Sequence, residues 1–246
     1  MNKTTSKYYP WVVVALLWGV ALLNYMDRQM LSTMKESMQL DISELQTAEN
    51  FGRLMAVFLW IYGLMSPFAG AIADRVNRKW LIVISLFVWS AVTYGMGYAN
   101  TFTEIYWLRA LMGVSEALYI PAGLSLIADW HSDKSRSLAV GIHMTGLYTG
   151  QAIGGFGATV AASYTWHTAF HWFGLIGIAY ALLLVLCLRE NPNHNVVKPT
   201  VETNKIEKES ILKGFSALFS TVAFWIILFV STVRSEEHTS ELQSLR

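Results

Sequence analysis

The chain is expected to fold as an all-α membrane protein: six transmembrane helices in a bundle, then the start of a seventh. Three observations lead there. Hydrophobic residues make up 54% of the sequence and charged ones only 14%, against roughly 25% charged in a soluble globular domain. The apolar residues gather into successive stretches long enough to span a bilayer, which takes about 20 residues. Lysine and arginine fall on alternate connections, as the positive-inside rule requires.

Helices are expected near 9–33, 49–73, 79–98, 102–128, 136–161 and 166–188, after a short N-terminal segment, 1–8. The first carries Lys3 and Lys7 ahead of an apolar run, as a signal peptide would. No small-x-small cleavage site follows, and Asp27-Arg28 closes the run, so it reads as an uncleaved span. Pro67 in the second span and Pro121 in the fourth should kink their helices. The fifth has Gly146, Gly150 and Gly154 at intervals of four, with Gly155 and Gly157 beyond. Small residues at that spacing let helix backbones approach closely. Residues 189–213 mix lysines with glutamates and read as a solvated linker; 214–233 begins the seventh helix.

About 13 apolar residues from Thr221 to Val233 are too few to complete a span. The string Arg234-Ser-Glu-Glu-His-Thr-Ser-Glu-Leu-Gln-Ser244 looks like an in-frame translation of a sequencing adapter. Residues 234–246 are therefore set outside fold reasoning as an artefactual tail.

With the N-terminus inside, the inner segments hold Lys3, Lys7, Arg75, Arg78, Lys79, Lys134, Arg136 and the linker cations. The outer loops hold Lys35 alone, with Arg53 near the start of span two. This bias is expected to place the N-terminus in the cytoplasm, with the chain crossing the membrane several times.

Net charge is +1, so no global field points to nucleic acid. The single cysteine, Cys187, has no disulfide partner within the chain, and the six histidines show no metal-ligand spacing. No nucleophile, metal or phosphate-loop constellation stands out. The expectation is a protein that is not an enzyme and needs no cofactor.

Four charges fall inside the apolar spans: Asp27 and Arg28 in the first, Arg109 and Glu116 in the fourth. A charge at membrane depth costs about 2.5–3.5 kcal/mol on insertion scales, so it faces a partner, water or a substrate. At about 1.5 Å per residue, Asp27 and Arg109 both lie roughly 10 Å below the outer surface, which allows an ion pair between them. Glu116 follows two turns later near the midplane, where transporters place substrate and coupling-ion sites. Arg28 is turned about 100° from Asp27 and can address a different partner, the cavity.

Between spans two and three stands Gly70-Ala-Ile-Ala-Asp74-Arg75-Val-Asn77-Arg78-Lys79. It resembles the loop signature of the major facilitator superfamily, Gly-x-Leu-Ala-Asp-Arg-x-Gly-Arg-Lys. It departs at Asn77, where the family usually has Gly; Asn tolerates a left-handed backbone better than most residues. Asn24-Tyr25-Met26-Asp27-Arg28 and Arg109-x-x-x-Gly113-x-x-Glu116 are similar to motifs of its anion:cation symporter family. That family takes up sugar acids and other organic anions in bacteria, and includes sialic acid and vesicular glutamate carriers in animals.

The resemblance covers about residues 8–190 and the start of helix seven, the N-terminal half of such a protein. It implies two six-helix bundles around a cavity, alternating access, proton coupling and a monomer. It also implies that Asp74, Arg75 and Arg78 form a cytoplasmic gate, the loop acid meeting a helix terminus of the second bundle. Many exchangers of the superfamily have Gly-Pro in span five, and Gly150-Gln151 here leans away from exchange.

In this reading Arg28 binds the substrate carboxylate, since its fork bonds a carboxylate bidentately and stays charged. Asp27 and Glu116 take up and release protons, because desolvation favours the neutral form of a carboxyl. Arg109 is their internal counter-charge. Tyr25, Tyr148 and Gln151 are further candidates to line the cavity or meet substrate hydroxyls. His143 in span five reads as a structural histidine, with a proton relay as the alternative. The function expected is proton-coupled symport of an organic anion such as a hexuronate or hexonate, with substrate, protons and lipid as the partners. An organic-anion or sugar-phosphate exchanger of the same superfamily is the alternative. A membrane sensor or receptor is the alternative from another class, against which the loop signature argues.

Overall fold

A computed structural model of the chain describes residues 7–191. The rest of the linker, the seventh helix and the tail lie outside the described residues. Among the described residues the backbone forms nine α-helices and one 3-10 turn. They are α1 (Tyr9–Thr33), α2 (Lys35–Asp41), α3 (Ala48–Ala73), α4 (Arg78–Met96), α5 (Phe102–Ala117), α6 (Tyr119–Trp130), α7 (Asp133–Gly154), α8 (Gly157–Ser163) and α9 (Trp166–Cys187). The 3-10 turn, Ser43–Gln46, follows α2 in the connection between the first two spans.

The caps explain several boundaries. Thr47 accepts a hydrogen bond from Asn50 N–H at the start of α3, and Thr165 does the same from Thr168 N–H at the start of α9. Thr101 and Glu104 form a reciprocal capping box at the start of α5. Asn77 caps α4 by accepting from Trp80 N–H, with φ −63° and ψ 115°. The expectation of a left-handed turn there is corrected: among the described residues no non-glycine has positive φ. Asn stands at this position as an N-cap, a place it favours for its side-chain oxygen.

Two expected spans are interrupted. Span four breaks between α5 and α6 at Leu118, whose N–H reaches Ser115 and Glu116 carbonyls. Pro121, three residues on, has no N–H to bond the carbonyl of Ala117, so the break falls one turn ahead of it. Span five ends at Gly154, and Gly155-Phe156 separates it from α8. Pro67, by contrast, sits within a continuous α3.

Among the described residues, five helical stretches are long and apolar enough to cross a membrane: α1, α3, α4, α5 with α6, and α9. The remaining long helix, α7, opens with Asp133, Lys134 and Arg136 and is rich in Gly and Thr. Its 22 residues rise roughly 33 Å, a full hydrocarbon thickness. It is also the helix that packs most extensively on α1, as α9 does on α4.

The α1–α7 contact is made backbone to backbone. A Cβ placed on Gly146 would lie 2.7 Å from the Trp18 carbonyl oxygen, and one on Gly154 2.8 Å from that of Met26. Gly150 is tighter still, against the Leu22 carbonyl. Gly150→Leu is therefore expected to force α1 and α7 apart and cost at least about 1–3 kcal/mol. A lowered melting temperature in detergent, absent from the control Gly141→Leu with open space around it, is the measurement that checks it.

Candidate functional site

The second half of α1 presents Asn24, Tyr25, Asp27 and Arg28, and α5 presents Arg109 and Glu116 toward them. Asn24, Arg109 and Glu116 are buried to within 1% exposure and Asp27 to 6%. Two acids and two bases within coulombic reach of one another make a cluster that is neutral when all four are ionised. Neutrality is what makes four charges tolerable at this depth.

The pairing differs from the sequence expectation. Arg28 Nε donates to Glu116 Oε2 at 2.8 Å. The Asp27–Arg109 ion pair is not formed: Asp27 Oδ2 accepts instead from the Thr93 hydroxyl of α4 at 3.3 Å. Arg109 donates from Nη1 to the Met112 thioether at 3.3 Å, and its guanidinium lies 4.4 Å from the centre of the Phe58 ring. Asp27 and Arg28, about 100° apart on α1, are thus divided between α4 and α5.

Arg28 is also held in an aromatic cage. Its guanidinium carbon lies 5.0 Å from the ring centre of Tyr25, 4.9 Å from Phe58 and 4.6 Å from Tyr62. Cation–π contacts of this kind gain about 0.5–1 kcal/mol each when exposed and about 2 when desolvated. Phe58 and Tyr62 were not anticipated as site residues. The available signal was their i, i+4 spacing, which puts them on one face of α3, where their rings stack at 5.9 Å. Gly113 brings that face within reach: its Cβ would lie 2.9 Å from the Phe58 carbonyl oxygen, so α3 and α5 meet at the backbone.

Five buried polar atoms of the cluster have no hydrogen-bond partner among the described residues. They are both amide atoms of Asn24, Arg28 Nη2, Arg109 Nε and Glu116 Oε1. Buried polar groups are nearly always paired, so these atoms are the places in the cluster where a further hydrogen bond can form.

Of the other candidates, Tyr148 and Gln151 are exposed on α7, and neither touches the cluster through a hydrogen bond or ion pair among the described residues. His143 is fully buried, its ring 6.0 Å from that of Tyr119. Asp74 and Arg75 are exposed at the α3–α4 corner. Arg78 is not: it turns into the bundle, donating to the Ala73 and Ser125 carbonyls and to the Asp129 carboxylate of α6. It thereby braces α4 against α6, and its Nη2 also lies 4.0 Å from the Asp74 carboxylate. Lys79 ties α4 to the end of α9 instead: its N–H bonds the Glu190 carboxylate and its ammonium the Val185 carbonyl.

The profile of the Major Facilitator Superfamily matches residues 17–234. The chain belongs to this superfamily. Among curated relatives of this superfamily member, the protein spinster homolog 1 of Xenopus tropicalis is 29% identical over 234 residues, covering 89% of this chain and 43% of the relative. The hexuronate transporter of Bacillus subtilis is 24% identical over 225 residues, covering 89% and 53%. A solved structure of a bacterial homolog to the human lysosomal transporter Spinster, inward-facing and unoccupied, aligns with a TM-score of 0.69. It is 24% identical, and the alignment covers 90% of this chain and 51% of that one. The chain spans about half the length of the relatives it matches. The described helices therefore belong to a Major Facilitator Superfamily fold, a family of multi-pass membrane proteins.

Proposed function

We propose that these residues form the first bundle of a proton-coupled organic-anion symporter that works by alternating access. The observation that carries the reading is the Arg28–Glu116 bond of 2.8 Å inside a buried, aromatic-walled cluster. Arg28 keeps one donor edge, Nη2, without a partner among the described residues. A substrate carboxylate approaching that edge competes with Glu116 for the same guanidinium. When Arg28 transfers to the substrate, Glu116 is left as a buried, uncompensated charge, a state costing several kcal/mol. The carboxyl escapes that cost by taking a proton. Anion binding and proton uptake are thereby linked through one shared arginine.

Sugar acids suit the surroundings. The carboxylate addresses Arg28, the sugar face packs on Tyr25 and Tyr62, and Tyr148 and Gln151 on α7 offer groups for hydroxyls. Similarity to a hexuronate transporter points to the same substrate class. Asp27 serves as a second proton site and Arg109 as the fixed counter-charge. Asp74, Arg75 and Arg78 serve as the gate residues, in a plasma-membrane monomer with a cytoplasmic N-terminus.

The test uses the complete polypeptide that contains this chain, reconstituted in liposomes. Labelled glucuronate, galactonate and sialate are offered with and without an inward proton gradient. Accumulation of one of them above its external concentration only with the gradient is the expected result. Equal uptake of every acid in both conditions would overturn the symport reading and favour exchange.

A further inference from the structure

We infer that Asn24 is the positioning residue that takes over the Glu116 carboxyl when Arg28 is withdrawn from it. The inference rests on the symport reading above and adds to it a second partner for the acid. Asn24 is completely buried, and neither amide atom has a hydrogen-bond partner among the described residues. It precedes Arg28 by one turn on α1, so both side chains lie on the same face. Arg28 on that face bonds Glu116 at 2.8 Å, and Glu116 Oε1, like both amide atoms of Asn24, is unbonded among the described residues.

A carboxamide is suited to this place by its chemistry. The NH2 group donates to an ionised carboxylate, and the carbonyl oxygen accepts from a protonated one. One neutral side chain can therefore hold Glu116 in either protonation state without adding charge to the cluster. An aliphatic residue there would leave the departing acid with nothing, and Arg28 would stay bound to it. The charged and titratable groups facing Glu116 are Asp27 and Arg28 on α1 and Arg109 on its own helix, with Tyr62 of α3 against Arg28. On α4, Thr93 bonds Asp27 and is neutral. Thr93 is committed to Asp27, which leaves Asn24 as the neutral donor and acceptor without a partner among the described residues.

Asn24→Val and Asn24→Thr form a matched pair, equal in shape and differing in the hydroxyl. In the complete polypeptide, Asn24→Val is expected to raise KM for the transported sugar acid about tenfold, the worth of one lost hydrogen bond. The rate at saturating substrate should stay near wild type, and the pH profile of uptake should shift. Asn24→Thr should recover most of both. Infrared difference spectra provide a readout independent of transport. The carboxylic carbonyl band that disappears in Glu116→Gln should move in Asn24→Val and return toward its original position in Asn24→Thr.

Wild-type KM, pH profile and band position in Asn24→Val would overturn the inference, as would a Thr variant no better than Val. Should Asn24→Val not fold, Asn24→Ala and Asn24→Ser make the same comparison. If wild type shows no gradient-driven uptake, the symport reading fails on its own, while the infrared band still decides whether Asn24 holds Glu116.

Discussion

Replacing Glu116 by Gln is expected to abolish proton-driven accumulation while substrate exchange across the membrane continues. Gln matches the shape of the acid and mimics its protonated form permanently. Arg28 loses its ionic partner at 2.8 Å and becomes free to bind the anion, so loading and turning over should survive. What disappears is the step in which a buried negative charge must be neutralised before the site can rearrange. The measurement is a pair of assays on the same liposomes: gradient-driven uptake, and counterflow of labelled against unlabelled substrate. If Glu116→Gln still accumulates substrate with normal pH dependence, Glu116 carries no proton and the coupling falls to Asp27.

Arg28→Lys is the second large effect, although it conserves charge. The guanidinium makes two kinds of contact at once, an Nε–H bond to Glu116 and faces against Tyr25, Phe58 and Tyr62, and keeps an Nη2 edge without a partner among the described residues. An ammonium is a point charge without that planar fork. It can hold Glu116 or meet an incoming carboxylate, but not offer separate edges to both. The loss of one charge-assisted bond, about 2 kcal/mol, corresponds to a KM about 30-fold higher. Kinetics of uptake at several substrate concentrations check this. An unchanged KM would mean that the anion does not contact the Arg28 side chain.

The spans and the four membrane charges were legible because hydropathy and helical spacing are local properties. Residues 3.6 per turn fix which face of its own helix each charge occupies. They say nothing about how the neighbouring helices are rotated. Asp27 was therefore matched with Arg109 by depth alone, whereas the structure gives Asp27 to Thr93 and Arg28 to Glu116. The bond from Arg78 to Asp129 was hidden for the same reason: Asp129 lies 51 residues further on in α6. The aromatic cage was hidden by composition. Tyr and Trp abound in membrane spans as interface anchors, and only the close approach at Gly113 distinguishes Phe58 and Tyr62 from the rest. Asn77 shows the reverse case, where the right residue was noticed for the wrong geometry: its side-chain oxygen, rather than a permissive backbone, is what α4 uses.

The division of Asp27 and Arg28 between α4 and α5 makes α1 a see-saw. Two consecutive residues on a rigid helix are tied to opposite neighbours, so α1 cannot roll about its axis in favour of one tie without slackening the other. A roll that carries Arg28 away from Glu116 changes the strain on the Asp27–Thr93 bond at the same moment. The two acids consequently report on one another through the helix itself, even though no bond joins them. The glycine seam packs α7 backbone to backbone on the same helix, so α1 is held along its length by a third neighbour as well.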